Sequence, residues 1–466
     1  MKKIKNKGAF AASAFFVLVI IPWLLFTQVN EPGSKHAYEE GVVDVAFTWG
    51  DKSEDIQDFY NPLREAIGAE IVVESRLREN DVEKLLSSDS PPDLLVLSSN
   101  EMVQSYIDRG WIKPLDEVIN DSGIAISDFF DIVWEQCKDV NDLYACIPWG
   151  ADLSALFWNK TMFVAAGLDP NSPPATIEEL REIAEKLTVF DADSGEIQQI
   201  GFLPDFPRSH MDLYVRMFGD TWIAEDGSTV SVNSQSLADA IQWESGITHS
   251  YDLVALNDFV AGINKYRNSN HPSYAGRILN CQQCHRTQPG NSEKMADQAF
   301  YNNQIAMMVD GQWQNGEDYI PTYAPEMEYG VAPLPAPEAY PNQANTSLVQ
   351  GPVIVFPSGA KDHVLAAELI AWMLSPEFSA EAALQFGFLP IHKEASRDPR
   401  FQEQSFFGVF ISLLDNENAK SVVPSELSVD LNSNLRKIEK TILYDEISEE
   451  EYFLNLQKVY SIPTEN

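Results

Sequence analysis

Residues 42–48 read VVDVAFT and residues 92–97 read PDLLVL, two apolar runs of strand length that each end in a polar loop. Between them, residues 53–67 read as a helix and residues 70–74 as a further strand. Strands that alternate with helices predict a parallel β-sheet with helices packed on both faces. This stretch therefore predicts a fold of the α/β class.

Two polar loops leave these strands, Trp49–Lys52 after the first and Ser98–Asn100 after the second. In open α/β sheets, ligands bind beyond the carboxyl ends of the strands. We therefore expect both loops to lie beside a ligand site.

The composition narrows the class of protein. The 466 residues include 32 Lys+Arg against 70 Asp+Glu, for a formal charge of −38. A surface this acidic repels phosphate backbones, so binding to nucleic acid across the chain is excluded. Hydrophobic residues make up 44% of the chain, which is enough to fill a core and excludes general disorder. The length predicts two or three globular units.

The first 30 residues have the features of a membrane-targeting segment. Four lysines precede the uncharged apolar run Ala9–Phe26, which is long enough as a helix to cross a bilayer. Basic residues stay on the cytoplasmic side, so the rest of the chain is expected to be exported. No small-residue cleavage site follows the run, and this favours an uncleaved anchor at 1–30 over a cleaved signal peptide. Residues 31–41 would then be a tether.

One helix has a clear start. Thr176 and Glu179 in TIEELREIAEKL, residues 176–187, form a capping-box pattern. Ile177, Leu180 and Ala184 then recur at the spacing of a buried helix face.

Several stretches, taken together, resemble a known family. Residues 143–188 read LYACIPWGADLSALFWNKTMFVAAGLDPNSPPATIEELREIAEKLT, and the other matching stretches are PPDLLVLSS at 91–99, AMMVDGQW at 306–313, YGVAPLPAP at 329–337 and GFLPIHKEA at 387–395. In this order and spacing they resemble family 1 of the extracellular solute-binding proteins of ABC importers, which includes the maltodextrin binders. One departure is Ile177, where the family pattern has tryptophan.

The resemblance implies a two-lobed periplasmic-binding-protein-like fold of type II, in which each lobe is a mixed sheet flanked by helices. Lobe one would comprise residues 42–147 and 352–388, and lobe two residues 148–351 and 389–466. The chain would cross between the lobes at Ile147–Gly150, near Gln350–Gly351 and near Phe388–Pro390.

The resemblance also implies which residues line the cleft between the lobes. Aromatic rings can pack under the apolar faces of sugars while planar polar groups bind the hydroxyls. The matching loops carry over Trp49, Asp51, Trp149, Asp310 and Trp313. Further candidates are Ser98, Asn100, Asp152, Trp222 and Gln350.

Each of these residues also has a purely structural interpretation. Tryptophan is more often a core residue than a ligand platform, and we assign Trp111, Trp134, Trp243 and Trp372 to packing. Asp51 is well placed to cap the helix that begins near Ser53.

The four cysteines fit an exported protein, in which disulfides persist. Cys137 and Cys146 flank a predicted turn between two strands, and we expect them to be bonded; the alternative is two buried thiols. The bond would contribute about 2.5–3 kcal/mol through loop-closure entropy.

The second pair lies in a polar insert at residues 266–297. Cys281, Cys284 and His285 form a C-x-x-C-H motif. Three interpretations stay open: a local or exchanging disulfide, a metal site, and covalent attachment of haem c with His285 as axial ligand.

No nucleophile, metalloprotease or phosphate-loop motif occurs in the chain, and the resemblance argues against catalysis. The sequence therefore predicts an extracytoplasmic protein, membrane-anchored or secreted, that needs no cofactor. It would deliver a carbohydrate, most simply an oligosaccharide, to ABC permease subunits by closure of its lobes. The alternative is a protein of the same fold that carries haem or a metal at the C-x-x-C-H motif.

Overall fold

The computed structural model describes most of the chain between residues 41 and 454. The described residues are 41–48, 53–75, 77, 79–116, 118–119, 123–139, 142–223, 230, 234–268, 298–316, 319–360, 363–404, 406–422, 424–425, 434, 437, 439–444, 447–448, 451–452 and 454.

Twelve strands are described in these ranges. They are β1 Gly41–Phe47, β2 Ala69–Glu74, β3 Leu94–Leu97, β4 Ile147–Pro148, β5 Ser154–Asn159, β6 Val189–Phe190, β7 Ile197–Phe202, β8 Ile305–Gly311, β9 Tyr329–Ala332, β10 Ser347–Val349, β11 Val353–Val355 and β12 Ala419–Ser421.

The helices cover or connect these strands. They are α1 Ser53–Ile67, α2 Glu79–Leu86, α3 Val103–Asp108, α4 Asp131–Glu135, α5 Lys160–Ala165, α6 Ile177–Leu187, α7 Met211–Met217, α8 Gln235–Thr248, α9 Leu253–Asn268, α10 Gln298–Tyr301, α11 Ile320–Tyr323, α12 His363–Met373, α13 Pro376–Phe386, α14 Pro399–Gln402 and α15 Phe407–Leu414. Short 3₁₀ turns occupy Ile126–Asp128, Gln312–Asn315, Pro341–Gln343 and Ala395–Arg397.

Two five-stranded sheets organise the fold into two lobes. The sheet of lobe one has the order β2-β1-β3-β11-β4, and the sheet of lobe two has the order β6-β7-β8-β5-β9. Strands β10 and β12 form a separate parallel pair. The two-lobed α/β fold implied by the resemblance is confirmed, while the boundaries given for the lobes stay a prediction.

The sheets are mixed rather than wholly parallel. β1 runs parallel to β3, and β7 runs parallel to β8. β11 is antiparallel to β3, and β5 is antiparallel to β8 and β9. The first stretch of sequence alone predicted a parallel sheet, which is wrong for the strands next to the lobe crossings. Because β5 and β11 enter their sheets directly from the crossings, they run opposite to the strands that end there.

Local sequence explains the elements that support the ligand site. Every residue of β8 (IAMMVDG) is buried, as expected for a central strand covered on both faces. α6 begins as its capping box predicted, since Thr176 Oγ1 accepts a hydrogen bond from Glu179 N at 3.1 Å. Glu179 reaches back one residue further than expected, because its carboxylate accepts from Ala175 N at 2.7 Å. The bond from Glu179 N satisfies one of the amides that a helix start leaves unpaired, and the bond from Ala175 N fixes the residue before the cap.

Cys137 and Cys146 are joined by a disulfide bond, as predicted. The described residues next to the bond pair with one another, since Lys138 pairs with Tyr144 and Ala145 N donates to Cys137 O at 2.7 Å. The bonded pair leads directly into β4 and so anchors the chain just before its first crossing.

Several predictions fall outside the described residues. These are the anchor at 1–30, residues 31–40 of the tether, Trp49, Asp51, and the motif formed by Cys281, Cys284 and His285. Among the described helices, none combines the length and the apolar character needed to span a bilayer.

A cluster of acids is buried in lobe two. Glu244 of α8 is 1% exposed, and neither of its carboxyl oxygens has a hydrogen-bond partner among the described residues. Asp205 and Glu439 lie close enough to interact with it electrostatically. Burial, reinforced by the charges of Glu439 and Asp205, raises the pKa of Glu244 well above its ordinary value. Tyr444 donates a hydrogen bond to Asp205 at 2.5 Å and so connects the helical residues 439–444 to this cluster.

Replacing Glu244 should make the fold less sensitive to alkaline pH. Because the pKa of Glu244 is higher in the folded state, the folded protein keeps this proton at pH values where the unfolded chain loses it. The resulting stabilisation of the fold is full below the unfolded-state pKa and is lost as pH rises toward the folded-state pKa. Relative to the wild-type protein, we expect Glu244→Gln to have a free energy of unfolding about 1–3 kcal/mol higher at pH 8 and almost the same at pH 4. Melting temperatures at the two pH values measure this. Glu182→Gln on the exposed face of α6 is the control, and a gain of equal size at both pH values would contradict the assignment.

Candidate ligand-binding site

The strands of lobe one end at an edge that leads to the crossings. Thr48 follows β1 and donates its backbone N–H to Val96 O at 3.0 Å, while Ser98 after β3 donates its backbone N–H to Thr48 Oγ1 at 3.0 Å. Val353 at the start of β11 pairs with both Leu97 and Pro148. The ends of β1 and β3, at Thr48 and Ser98, therefore share one edge with the segments that cross to lobe two.

The strands of lobe two meet the crossings at a corresponding edge. The parallel strands β7 and β8 both end there, and Ser154 at the start of β5 pairs with Gly311 at the end of β8. The loops after β7 and β8 thus lie beside the crossing segment that feeds β5. This is the location that α/β sheets use for ligands.

Backbone hydrogen bonds join the three crossing segments, which we call the hinge and define as residues 149–153, 350–352 and 387–389. Asp152 and Gln350 exchange both N–H···O bonds, at 2.5 and 3.1 Å. Ala151 and Leu389 do the same, at 3.1 and 2.8 Å, and Trp149 N donates to Pro352 O at 2.9 Å. The hinge is therefore a small three-stranded arrangement rather than three independent linkers.

Glycines allow the crossing segments to approach this closely. A Cβ on Gly351 would lie 2.4 Å from Gly150 O, and a Cβ on Gly150 would lie 2.4 Å from the Phe388 ring. Real Cβ atoms do not approach other atoms so closely, so neither position accepts a side chain without movement of the hinge.

Alanine at position 351 should disturb the hinge for this reason. We expect Gly351→Ala to lower the free energy of unfolding by about 1–3 kcal/mol, since its Cβ meets rigid backbone. Gly262→Ala in α9 is the control, because nothing lies within 4 Å of its Cβ and removing a helical glycine should stabilise by about 0.5–1 kcal/mol. Denaturant unfolding measures both, and equal effects would show that the close approach does not constrain residue 351.

Trp313 lies between two groups at the end of β8. One is the Cα of Gly311, since a Cβ there would lie 2.2 Å from the indole ring. The other is the guanidinium of Arg208, 4.7 Å from the ring centroid, in the geometry of a cation–π interaction. Trp313 thus supports Arg208, and the guanidinium covers a ring face that the sequence prediction assigned to a ligand.

Asp310 is fully buried beneath this pair. Its carboxylate lies 3.0 Å from Arg208 Nη2 and accepts hydrogen bonds from Gly311 N at 2.9 Å and Gln314 Nε2 at 2.6 Å. Tyr301 in turn donates to Gln314 Oε1 at 2.6 Å. A buried carboxylate needs such partners, so Asp310 acts in this structure by holding Arg208 and the turn after β8 in place.

His210 anchors the loop after β7 to strand β8. Burial, with a contribution from the Arg208 charge, lowers the pKa of His210 to about 3. The neutral ring donates its Nε2 proton to Val309 O at 2.8 Å. The position of this loop therefore does not change through titration of His210 near neutral pH.

The structure brings some of the predicted residues together. Asp152, Gln350, Asp310 and Trp313 all lie where lobe two meets the hinge, and Ser98 lies at the edge of lobe one that leads to it. Asp152 accepts a hydrogen bond from Gln312 Nε2 at 2.6 Å.

Other predicted residues are committed to internal contacts. Trp149 is buried against Phe47, Phe386 and Phe388, with ring centroids 5.1–5.8 Å apart. Asn100 is 3% exposed and donates to Gln136 O at 2.6 Å and to Val422 O. Trp222 is 2% exposed. Their roles in ligand binding stay predictions.

Sequence reasoning missed Arg208, His210 and Gln312. The segment LPDFPRSH at residues 203–210 follows the strand-like residues 197–202 directly, so its position after a strand was the available signal. Gln312 lies inside the quoted AMMVDGQW stretch, but nothing in the sequence shows what its amide contacts.

A separate cavity of about 370 Å³ opens beyond β9. Its lining includes six prolines, contributed by the chain before α6 and by the segment after β9. Among the described residues, no group of three or more His, Cys, Asp or Glu is arranged to hold a metal ion.

Two α/β lobes joined by a three-segment hinge, with polar residues of both lobes at the sheet edges that face it, define the class of two-lobed solute-binding proteins. The family model of the bacterial extracellular solute-binding proteins matches residues 58–407. The chain belongs to this family, which acts outside the cytoplasm and consists of binding proteins rather than enzymes.

Relatives of known sequence agree with this assignment. An uncharacterized ABC transporter extracellular-binding protein of Pyrococcus horikoshii is 22% identical over 371 residues, covering 77% of this chain and 72% of that protein. A maltotriose-binding protein of Pyrococcus abyssi is 20% identical over 330 residues, covering 70% of this chain and 60% of that protein.

Solved structures share the fold. The mannotriose-bound structure of CpMnBP1 has a TM-score of 0.73 and 21% identity, and covers 90% of this chain and 99% of that one. The cyclic alpha-maltosyl-1,6-maltose binding protein of Arthrobacter globiformis has a TM-score of 0.67 and 16% identity, and covers 91% of this chain and 98% of that one.

Proposed function

We propose that the chain binds an oligosaccharide outside the cytoplasm and delivers it to the permease subunits of an ABC importer. The observation that carries this proposal is the convergence on one hinge of the strand ends at Thr48 and Ser98 in lobe one and of the loops after β7 and β8 in lobe two. A ligand that contacts both lobes stabilises the closed arrangement, and a permease can recognise this closed conformation. The N-terminal anchor predicted from the sequence would keep the protein beside its permease.

The chemistry at the lobe-two edge supports a hydroxyl-rich ligand. Arg208 is a planar donor whose side chain is 14% exposed and whose charge is balanced by the buried Asp310. Asp152 and Gln350 are half-buried in the hinge that meets this edge, and they add a carboxylate and an amide. An ion pair whose charges balance, together with amide groups, suits neutral hydroxyls, because hydroxyls both donate and accept hydrogen bonds. The relatives named for mannotriose, maltotriose and cyclic maltosyl-maltose support the same ligand class.

A thermal-shift screen of the purified full-length protein tests the ligand class. The panel contains mannobiose, mannotriose, maltotriose, amino acids, polyamines and divalent metals. A ligand that binds only the folded state adds about 2.7 kcal/mol of stability at a hundredfold excess over its Kd. We expect an oligosaccharide to raise the melting temperature. A shift with amino acids or polyamines alone would contradict the proposal.

Removal of the Trp313 ring should weaken binding of the saccharide identified in the screen. The ring sets the plane of Arg208, so we expect Trp313→Ala to lower affinity by more than about tenfold in isothermal titration calorimetry.

Lobe one supplies a matched control. Arg109 lies over the ring of Trp111 at 4.8 Å and pairs with Glu83 at 2.6 Å, so one arginine again combines a cation–π contact with an ion pair, here in a more exposed setting than at Arg208. This second pair lies beside Pro357, beyond the end of β11 that points away from the hinge. Trp111→Ala should lose a comparable cation–π contact and leave affinity unchanged. Wild-type affinity in both variants would show that the Trp313 ring does not contribute to the site.

A further inference from the structure

Gln312 makes three hydrogen bonds that join the candidate site to the hinge. It is 8% exposed and begins the 3₁₀ turn that also carries Trp313. Its Oε1 accepts from Leu153 N at 3.0 Å, and its Nε2 donates to Asp152 Oδ1 at 2.6 Å and to Gly387 O at 3.1 Å.

These bonds reach two different crossing segments. Asp152 and Leu153 belong to the first, between β4 and β5, whereas Gly387 belongs to the third, which follows α13. Asp152 is itself paired with Gln350 of the second segment through two backbone bonds. One amide side chain of lobe two thus contacts two segments directly and the remaining one through Asp152.

The chemistry of the amide is specific to this position. A side chain here must accept one hydrogen bond and donate two, and an amide group supplies both a carbonyl oxygen and an NH₂ group on one plane. A carboxylate cannot donate and would face the Asp152 carboxylate. An apolar side chain would leave the buried Leu153 N–H and the half-buried Gly387 C=O without this partner.

The position of Gln312 in the chain links these contacts to ligand binding. Asp310 and Trp313, which hold Arg208, lie within two residues of Gln312. A shift of the turn that accommodates a ligand therefore moves the amide that fixes the crossing segments, and a shift of the hinge moves the turn.

We propose that Gln312 is a positioning residue that couples the lobe-two ligand site to the hinge and sets the balance between open and closed lobes. The proposal rests on the function proposed above for the closure of the lobes. It does not require that the ligand be a sugar, because the balance between the two arrangements exists without ligand.

The first test uses the ligand-free, full-length protein. Small-angle X-ray scattering gives the radius of gyration, and amide hydrogen exchange reports on opening of the crossing segments at 149–153 and 387–389. We expect Gln312→Leu and Gln312→Glu to change the radius of gyration and to speed exchange in both segments by more than about tenfold. Unchanged scattering and exchange in both variants would overturn the proposal.

A control and a rescue separate positioning from general destabilisation. Gln199→Glu removes an amide that bonds Leu187 O within lobe two, away from the hinge. It should lower the melting temperature without changing the radius of gyration. The double variant Gln312→Glu/Asp152→Asn restores a donor–acceptor pair with reversed polarity, and should recover most of the wild-type exchange rate. If the double variant exchanges as fast as Gln312→Glu alone, the Asp152 contact does not carry the coupling.

The second test measures binding with mannotriose and then maltotriose as probes. We expect Gln312→Leu to change the Kd by at least about fivefold, while Gln199→Glu leaves it unchanged. If neither probe binds the wild-type protein, the sugar assignment fails, and the ligand-free measurements still decide the role of Gln312. If a probe binds wild type and Gln312→Leu with the same Kd, the coupling is refuted.

Discussion

The hydrogen bonds among the three crossing segments are the constraint on which the rest of the structure depends. Asp152 pairs with Gln350 and Ala151 pairs with Leu389, so segments far apart in sequence form one small unit. Because both sheets are entered from this unit, it fixes the direction of β5 and β11 and makes the sheets mixed. It also places the ends of β1 and β3 and the loops after β7 and β8 at the sheet edges next to the hinge.

Among the described residues of the candidate site, Trp313 and Trp149 make supporting contacts within the protein. Trp313 lies between Gly311 and Arg208, and Trp149 is enclosed by three phenylalanine rings of lobe one and the hinge. Trp313 therefore helps to set the position of Arg208, whereas Trp149 packs the core next to the hinge. Rigid placement of donors reduces the entropy lost when a ligand binds.

Much of the fold could be predicted from the residues themselves. The apolar runs that became β1, β3 and β8, the capped start of α6, and the bond between Cys137 and Cys146 all follow from local pattern or short-range geometry. The ordered motifs between residues 91 and 395 gave the family and hence the two lobes, because their spacing reflects one path of the chain through both sheets. The placement of Asp152 and Gln350 at the hinge also followed from that path.

The sequence by itself determined the elements, the family and the neighbourhood of the site, since each depends on residues that are close in the chain or on motif order. Only the tertiary structure decided which face of Trp313 is covered and what Asn100 and Gln312 contact. It also decided that Glu244 is buried near Asp205 and Glu439. The partners in these contacts come from segments up to 322 residues apart. No local pattern records such pairings, because they depend on how independently formed elements meet in space.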